Sequence, residues 1–264
     1  DFGKKLLSED PSNPGSLGIA ISEAIEAVVK SEGKAKYALG SVLGHVLLHQ
    51  TINGNEAILQ MEQAGDYPDI IVGCTGGGSN LAGLMFPFLG QQLRGGQKID
   101  IIGCEPLSCP SFTKGKYAYD HGDMARMTPL IKMHTLGSDF LPPANHSGGL
   151  RYHGMSYHLS HLYDLGLMRA KAYGQKDCFE AGVIFGKQEG IIPAPEGNHA
   201  VKGAIDAALE CKEKGESKTI LFNLCGHGHF DMTAYDDYFS GRLADDFYDE
   251  DTANKSLSAL PEIA

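Results

Sequence analysis

A short apolar run from Asp69 to Cys74 passes directly into Thr75, three glycines at Gly76, Gly77 and Gly78, and two small polar residues, Ser79 and Asn80. That succession is suited to gripping an anion. Glycine lets the backbone approach a charged group, and the N–H groups of the turn, with the N-terminus of the following helix, supply donors and the positive end of a dipole. Ser79 or Asn80 is placed to cap that helix, which continues through Leu81, Leu84, Met85 and Phe88. The spacing is neither GxGxxG nor GxxxxGK(S/T), so a nucleotide is not the favoured ligand. A tight structural turn is the plainer alternative.

Two other segments hold residues that could act on a bound molecule. Glu189 to Ala200 carries Glu196 among prolines, glycines and Asn198, and Leu221 to His229 carries Cys225, Gly226, His227 and His229. A carboxylate in a dry pocket has its protonation tuned by burial; helix capping or a surface ion pair is the alternative for Glu196. Cys225 beside two histidines has the parts of a Cys–His nucleophile without an identifiable third partner. His45 and His49 stand four apart as in a zinc protease helix, but no glutamate lies between them, and no metal is expected. Ser16, Ser41 and Ser79 lie in no GxSxG context.

The elements that must position these groups follow from periodicity. Leu17, Ile21, Ala24, Ile25 and Val28 recur at helical spacing up to Gly33, and Tyr37 to His49 reads as a strand followed by the start of a helix that continues over 53–64. The apolar runs 70–74, 101–104 and 219–224 have the character of parallel strands buried on both faces, with a helix over 79–93 between the first two. Ligands in such sheets bind at the carboxyl ends of strands, where 75–80, Glu105 and 225–229 fall together. Helices are expected at 176–188 and 199–214. Residues 106–152 show little periodicity and are longer than an ordinary connection, as befits a cover over a site or an oligomer contact.

Composition narrows the function classes. The 264 residues carry a net charge of −11, which disfavours nucleic acid as a partner, and part of that charge sits in Asp245, Asp246, Asp249, Glu250 and Asp251, read as a solvated tail. No apolar window approaches the roughly 18 residues a membrane span needs. The six cysteines form no CxxC pair and read as reduced thiols in a cytoplasmic setting.

Taken together, the glycine turn, 189–200 and 221–229 resemble the tryptophan synthase β chain, and most closely its second subtype, which also shows the patterns at 14–24, 39–50, 135–137 and 148–154. The resemblance spans roughly residues 1 to 242. It implies an α/β fold of the fold-type II pyridoxal-phosphate enzymes, a three-layer parallel sheet flanked by helices, here with an incomplete N-terminal domain. It divides the chain into 1–50, a remnant of that domain, 51–242, the C-terminal domain that binds the cofactor phosphate, and 243–264, a polar tail. The cofactor it implies is pyridoxal 5′-phosphate, with Gly76, Gly77, Gly78, Ser79 and Asn80 around the phosphate, Cys225 and Gly226 by the ring, and Glu196 as the catalytic carboxylate. Cys225 stands where the family usually has a serine bonded to the pyridine nitrogen, and a thiol is a weaker donor. Arg151 stands where the commoner subtype has an aspartate that contacts substrate, which suits an anionic leaving group or a differently held carboxylate; a structural ion pair is the alternative.

The activity so implied is β-replacement of L-serine, or an O-substituted serine, with indole to give L-tryptophan, in a cytoplasmic homodimer that in the commoner subtype also docks a tryptophan synthase α chain. The family's Schiff-base lysine lies in a Gly-Ser-His-Lys-like element, and none of the lysines here, Lys202 included, has that context. The expectation is therefore a C-terminal portion without that lysine, inactive by itself. Another pyridoxal-phosphate enzyme of the serine or threonine deaminase or cysteine synthase type, or a non-catalytic remnant acting as a binding protein, is the alternative.

Overall fold

A computed structural model describes residues 2–245 and 247–262. In chain order its elements begin with α1 (Phe2–Glu9), α2 (Leu17–Lys30), α3 (Gly44–Ala64), β1 (Ile70–Cys74), α4 (Ser79–Leu93), β2 (Asp100–Pro106), β3 (Lys116–His121) and β4 (Leu130–Thr135). A single 3-10 turn at Gly148–Leu150 precedes α5 (Tyr157–Asp164), β5 (Arg169–Tyr173), α6 (Gln175–Glu189), α7 (Pro195–Lys214), β6 (Ile220–Phe222), α8 (Met232–Phe239) and α9 (Glu250–Ser258).

β5, β2, β1 and β6 form one parallel sheet in that order, with Ile71 opposite both Ile101 and Leu221. Successive residues of a strand face opposite sides, and the two sides have separate cores. Ile71 and Ile101 pack with Leu81, Met85 and Phe88 of α4 and Leu47 of α3. Ile70, Val72, Ile102 and Cys104 pack with Ala207 and Cys211 of α7 and Cys178 of α6. Helices thus cover both faces, the expected three layers, and this double coverage is why the strand sequences run apolar without alternation.

Close backbone approach sets the outer layer. Pro87 interrupts α4 and has no N–H to give the carbonyl of Gly83. α3 comes up against this point at Gly54, where a Cβ would lie 2.4 Å from the Leu84 carbonyl oxygen and 2.7 Å from that of Gly83. α3, α6 and α7 each stop at a glycine in left-handed backbone, Gly65, Gly190 and Gly215, which satisfies their last carbonyls.

Four expectations change. Residues 37–43 form no strand, while the helix expected to begin before His49 and continue over 53–64 runs from Gly44 to Ala64, where Val46, Leu47, Gly54 and Ala57 bury one face at helical spacing; a short apolar run alone does not separate strand from helix. The aperiodic 106–152 region contains the antiparallel hairpin β3–β4. α7 begins at Pro195, not 199, with proline in its first turn, where its missing N–H costs nothing. The acidic segment after Arg242 is anchored rather than trailing in solvent: Asp245 accepts from the Lys176 N–H at 2.9 Å, Asp249 caps α9, and Ala253 packs with Cys109, Leu136 and Phe140. Asp246 and residues 263–264 of that segment lie outside the described residues, as does Asp1.

Glu105 is next to last in β2 but does not open onto a ligand site. It is fully buried and accepts from the Phe112 N–H at 2.8 Å, the Thr113 N–H at 2.9 Å and the Thr113 hydroxyl at 2.6 Å. Burial raises its carboxyl from 4.5 to about 7 despite those donors. A folded pKa above the unfolded one means that the native chain keeps a proton which the unfolded chain releases from about pH 4.5. Native stability therefore falls as pH rises from 4.5 to 7, by about 3 kcal/mol for this group. Urea unfolding across that range should show a steeper loss for wild type than for Glu105→Gln, since other titrating groups are common to both; parallel profiles would show that Glu105 does not titrate in the window.

Candidate functional site

The turn after β1 is held from three sides. The Thr75 N–H donates to the Cys104 carbonyl at 2.7 Å, extending the β1–β2 ladder to the last residue before the glycines. Asn223, just past β6, donates its side-chain amide to Asn80 Oδ1 at 2.7 Å. The Gly77 carbonyl accepts from the Ser156 N–H at 3.0 Å. Behind the turn the packing leaves no space: a Cβ on Gly77 would lie 2.4 Å from Val42 Cγ2, and one on Gly78, whose φ is +96°, 2.4 Å from Leu159 Cδ1. Val42 has φ +70° itself, a conformation β-branched residues seldom adopt.

None of the backbone N–H groups from Gly76 to Leu81 donates to another group among the described residues. They comprise the turn and the first residues of α4, where a helix has no internal acceptors. Gly76, Gly77, Gly78, Ser79 and Asn80 line one cavity of about 300 Å³ together with Ser41, Gln50, Cys74, Gly149, Leu150, Glu196 and Cys225. A row of unpaired donors at a helix N-terminus fits a phosphate monoester, so the donor set passes the test for a phosphorylated ligand.

Glu196 and Cys225 reach this cavity because their loops are tied together. The Ala194 N–H donates to the Gly226 carbonyl at 2.9 Å and the Gly228 N–H to the Ile192 carbonyl at 2.8 Å, a short antiparallel link between Pro193 and His227. Asn198 donates to the Tyr235 hydroxyl at 3.1 Å, which donates to the Pro193 carbonyl at 2.6 Å. Glu196 sits in the first turn of α7 and its Oε1 accepts from the Gly149 N–H at 2.9 Å. Three residues on, His199 is buried with Nδ1 at 3.0 Å from the Pro195 carbonyl, and burial lowers its pKa to about 4, so it is a neutral core residue.

Cys225 is exposed and its sulfur lies 3.5 Å from that of buried Cys74. Either sulfur can donate; with Cys74 as donor the contact holds Cys225 below the usual thiol range and, with burial, raises Cys74 well above it. No hydrogen bond joins Cys225 to His227 or His229 among the described residues; the His229 N–H instead donates to His227 Nδ1 at 3.3 Å. His45 and His49 lie on the exposed face of α3 with ring centroids 6.5 Å apart.

Of the residues singled out from sequence, Gly76, Gly77, Gly78, Ser79, Asn80, Glu196 and Cys225 share the cavity, while two do not. Gly226 is engaged through its carbonyl with Ala194. Arg151 donates to the Gly15 carbonyl at 2.9 Å and the Pro142 carbonyl at 2.7 Å, clamping two loops, and is not among the residues lining the cavity. Ser41, Gln50, Cys74, Gly149 and Leu150 complete the wall without having been singled out. The glycines of 39–44 and 148–154 were the available signal, since chain segments that pass this close need them.

A family model described as pyridoxal-phosphate dependent enzyme matches residues 23–226. Among curated relatives, tryptophan synthase beta chain 2 of Methanosarcina mazei is 57% identical over 243 residues, covering 92% of this chain and 55% of its own. That of Aquifex aeolicus is 58% identical over 246 residues, covering 92% and 56%, and the tryptophan synthase beta chain of Pyrococcus horikoshii is 52% identical over 261 residues, covering 99% and 56%. The chain thus spans about half the length of the curated relatives it matches. Among solved structures, a fungal L-serine ammonia-lyase from Rhizomucor miehei aligns with a TM-score of 0.58 at 14% identity over 81% of this chain and 64% of its own. O-acetyl serine sulfhydrylase isoform 3 from Entamoeba histolytica aligns with 0.57 at 15% identity over 90% and 58%. These two likenesses bear on the fold alone, and agree with the expected α/β class.

Inorganic phosphate should shift the backbone amide resonances of Gly76 to Asn80 in a titration followed by NMR. Gly78→Ala, which combines a side chain at positive φ with a clash against Leu159, should lower the unfolding free energy by about 2–4 kcal/mol and remove those shifts.

Proposed function

The chain belongs to the pyridoxal-phosphate dependent enzymes, and we propose that in its full-length form the protein replaces the β-substituent of L-serine, or of an O-substituted serine, with indole to give L-tryptophan. The observation that carries this reading is the convergence of unpaired turn amides, Glu196 and Cys225 on one cavity. The names of the relatives at 52% to 58% identity supply the reaction.

When bound, pyridoxal phosphate supplies an electron sink that eases loss of the α-proton and of the β-substituent. The N–H groups of Gly76 to Asn80 hold its phosphate and fix the position of the ring. Cys225 would stand beside the ring nitrogen; once protonated in the bound form, its thiol would be a weak donor there and would keep the sink moderate, which suits replacement at the β-carbon. Glu196 is the carboxylate that takes and returns protons beside the ring, and the Gly149 N–H aims one of its oxygens while leaving the other for a proton. Arg151, fixed on two carbonyls, shapes the loops and is not assigned to substrate in this reading.

No lysine is among the residues lining the cavity. We assign the lysine that links the cofactor covalently to the part of the relatives' length that this chain does not span, and the 264-residue chain alone to non-covalent binding without turnover. A homodimer, a tryptophan synthase α chain as second partner and a cytoplasmic setting are part of the same proposal; six free cysteines support the last. No helix among the described residues is long and apolar enough to cross a membrane.

Full-length protein supplied with indole and L-serine should form L-tryptophan, and Glu196→Gln should lower kcat by about 10²–10⁴ with little change in cofactor affinity. The 264-residue chain with pyridoxal phosphate should leave no cofactor attached after borohydride. Pyruvate release that ignores indole would replace this reading with that of a serine deaminase.

A further inference from the structure

We infer that Cys74 and Cys225 are a redox pair that closes to a disulfide across the wall of the glycine-turn cavity when a peroxide enters it. The inference concerns the two sulfurs alone and stands whether or not the cavity takes pyridoxal phosphate.

Cys74 is the last residue of β1, and Cys225 follows the end of the neighbouring parallel strand β6. Their sulfurs, 3.5 Å apart, make the one sulfur–sulfur contact within hydrogen-bonding reach among the described residues. Both line the cavity, with Cys225 exposed and Cys74 buried. A small oxidant therefore meets Cys225 first and finds Cys74 directly behind it. Reaching the bonded separation needs an approach of about 1.5 Å.

The local chemistry divides the labour between them. Either sulfur can donate in the contact; with the buried Cys74 as donor, Cys225 is held below the usual thiol range and Cys74 above it, and the Glu196 carboxylate opposes ionisation of both. The Asn80 amide donates to the Cys74 sulfur at 3.4 Å and holds it in place. An accessible thiolate next to a resolving thiol is the arrangement of a peroxide-sensitive pair. The Cys225 thiolate attacks one oxygen of hydrogen peroxide and the O–O bond breaks, leaving a sulfenic acid and a hydroxide that is protonated to water. The Cys74 sulfur then attacks the sulfenic sulfur and the S–O bond breaks, the departing hydroxide taking the Cys74 proton as a second water. Two thiols are oxidised and one peroxide is reduced to two waters.

Nothing comparable surrounds the other four cysteines. Cys104, Cys109, Cys178 and Cys211 are buried, and burial pushes Cys104 up to about 12 and raises Cys109 and Cys178 as well. Closure of the pair would pin the exit of β6 to that of β1 beside Glu196. The cavity then loses the free thiol at its edge.

The test is to expose the native 264-residue chain to hydrogen peroxide, quench, unfold, alkylate and map peptides by mass spectrometry. The expected product joins the Cys74 and Cys225 peptides, lighter by two hydrogens and restored by dithiothreitol, with the remaining cysteines alkylated. Cys74→Ser should halt Cys225 at a sulfenic acid that dimedone captures, and Cys225→Ser should leave Cys74 fully alkylatable. Oxidation of wild-type Cys225 to sulfenic or sulfinic acid without the cross-link, or a cross-link through any other cysteine, overturns the inference.

Discussion

Backbone N–H groups that the protein itself does not satisfy are the constraint around which the molecule is arranged. From Gly76 to Leu81 no backbone amide donates to another group among the described residues, and Gly76 to Asn80 lie along a cavity instead of a sealed core. Every neighbouring element contributes to keeping the turn in shape. β1 and β2 fix its start through Thr75, Asn223 ties its end to β6, and Val42 and Leu159 fill the space that side chains on Gly77 and Gly78 would have needed.

The cavity is assembled from segments far apart in the chain, and the sheet is what brings them together. β1 and β6 are adjacent and parallel, so the turns that leave them emerge at the same edge. Glu196 comes from a helix on one face of the sheet, and Gln50 from the outer helix on the other, brought close by the glycine contact between α3 and α4. The Ala194 and Gly228 hydrogen bonds make the Glu196 and Cys225 loops one unit, so neither group can shift without the other.

Sequence reading reached the sheet and the glycine turn because their signals are local: a doubly buried strand is apolar throughout, and three successive glycines mark a turn that side chains would block. The cap expected of Ser79 or Asn80 is not formed, because the helix starts at Ser79 with Gly78 at the N-cap and no side-chain cap hydrogen bond. It also reached Glu196 and Cys225, by motif, but placed Glu196 in a loop when Pro195 starts the helix. The edge strand β5, Arg169–Tyr173, went unseen because it alternates charged and small residues. The wall formed by Ser41, Gln50 and Gly149 lies in the patterns 39–50 and 148–154 noted in the sequence, but no site residue was named there, because those side chains advertise no chemistry and their position is set by tertiary contacts. Glu105 was misplaced because the end of a strand specifies an edge of the sheet and not whether the next turn folds back over it, as 111–113 does.

Val42 stands apart, a β-branched residue in left-handed backbone packed against the site where Gly77 has no side chain. Such backbone stores about 1–3 kcal/mol and endures only while its surroundings enforce it. The segment from Tyr37 to Leu43, which has no regular secondary structure of its own, is therefore spring-loaded. Ser41, which lines the cavity, is the residue next to this strain, so the contact of Val42 with the glycine turn keeps both the tension and that part of the wall in place.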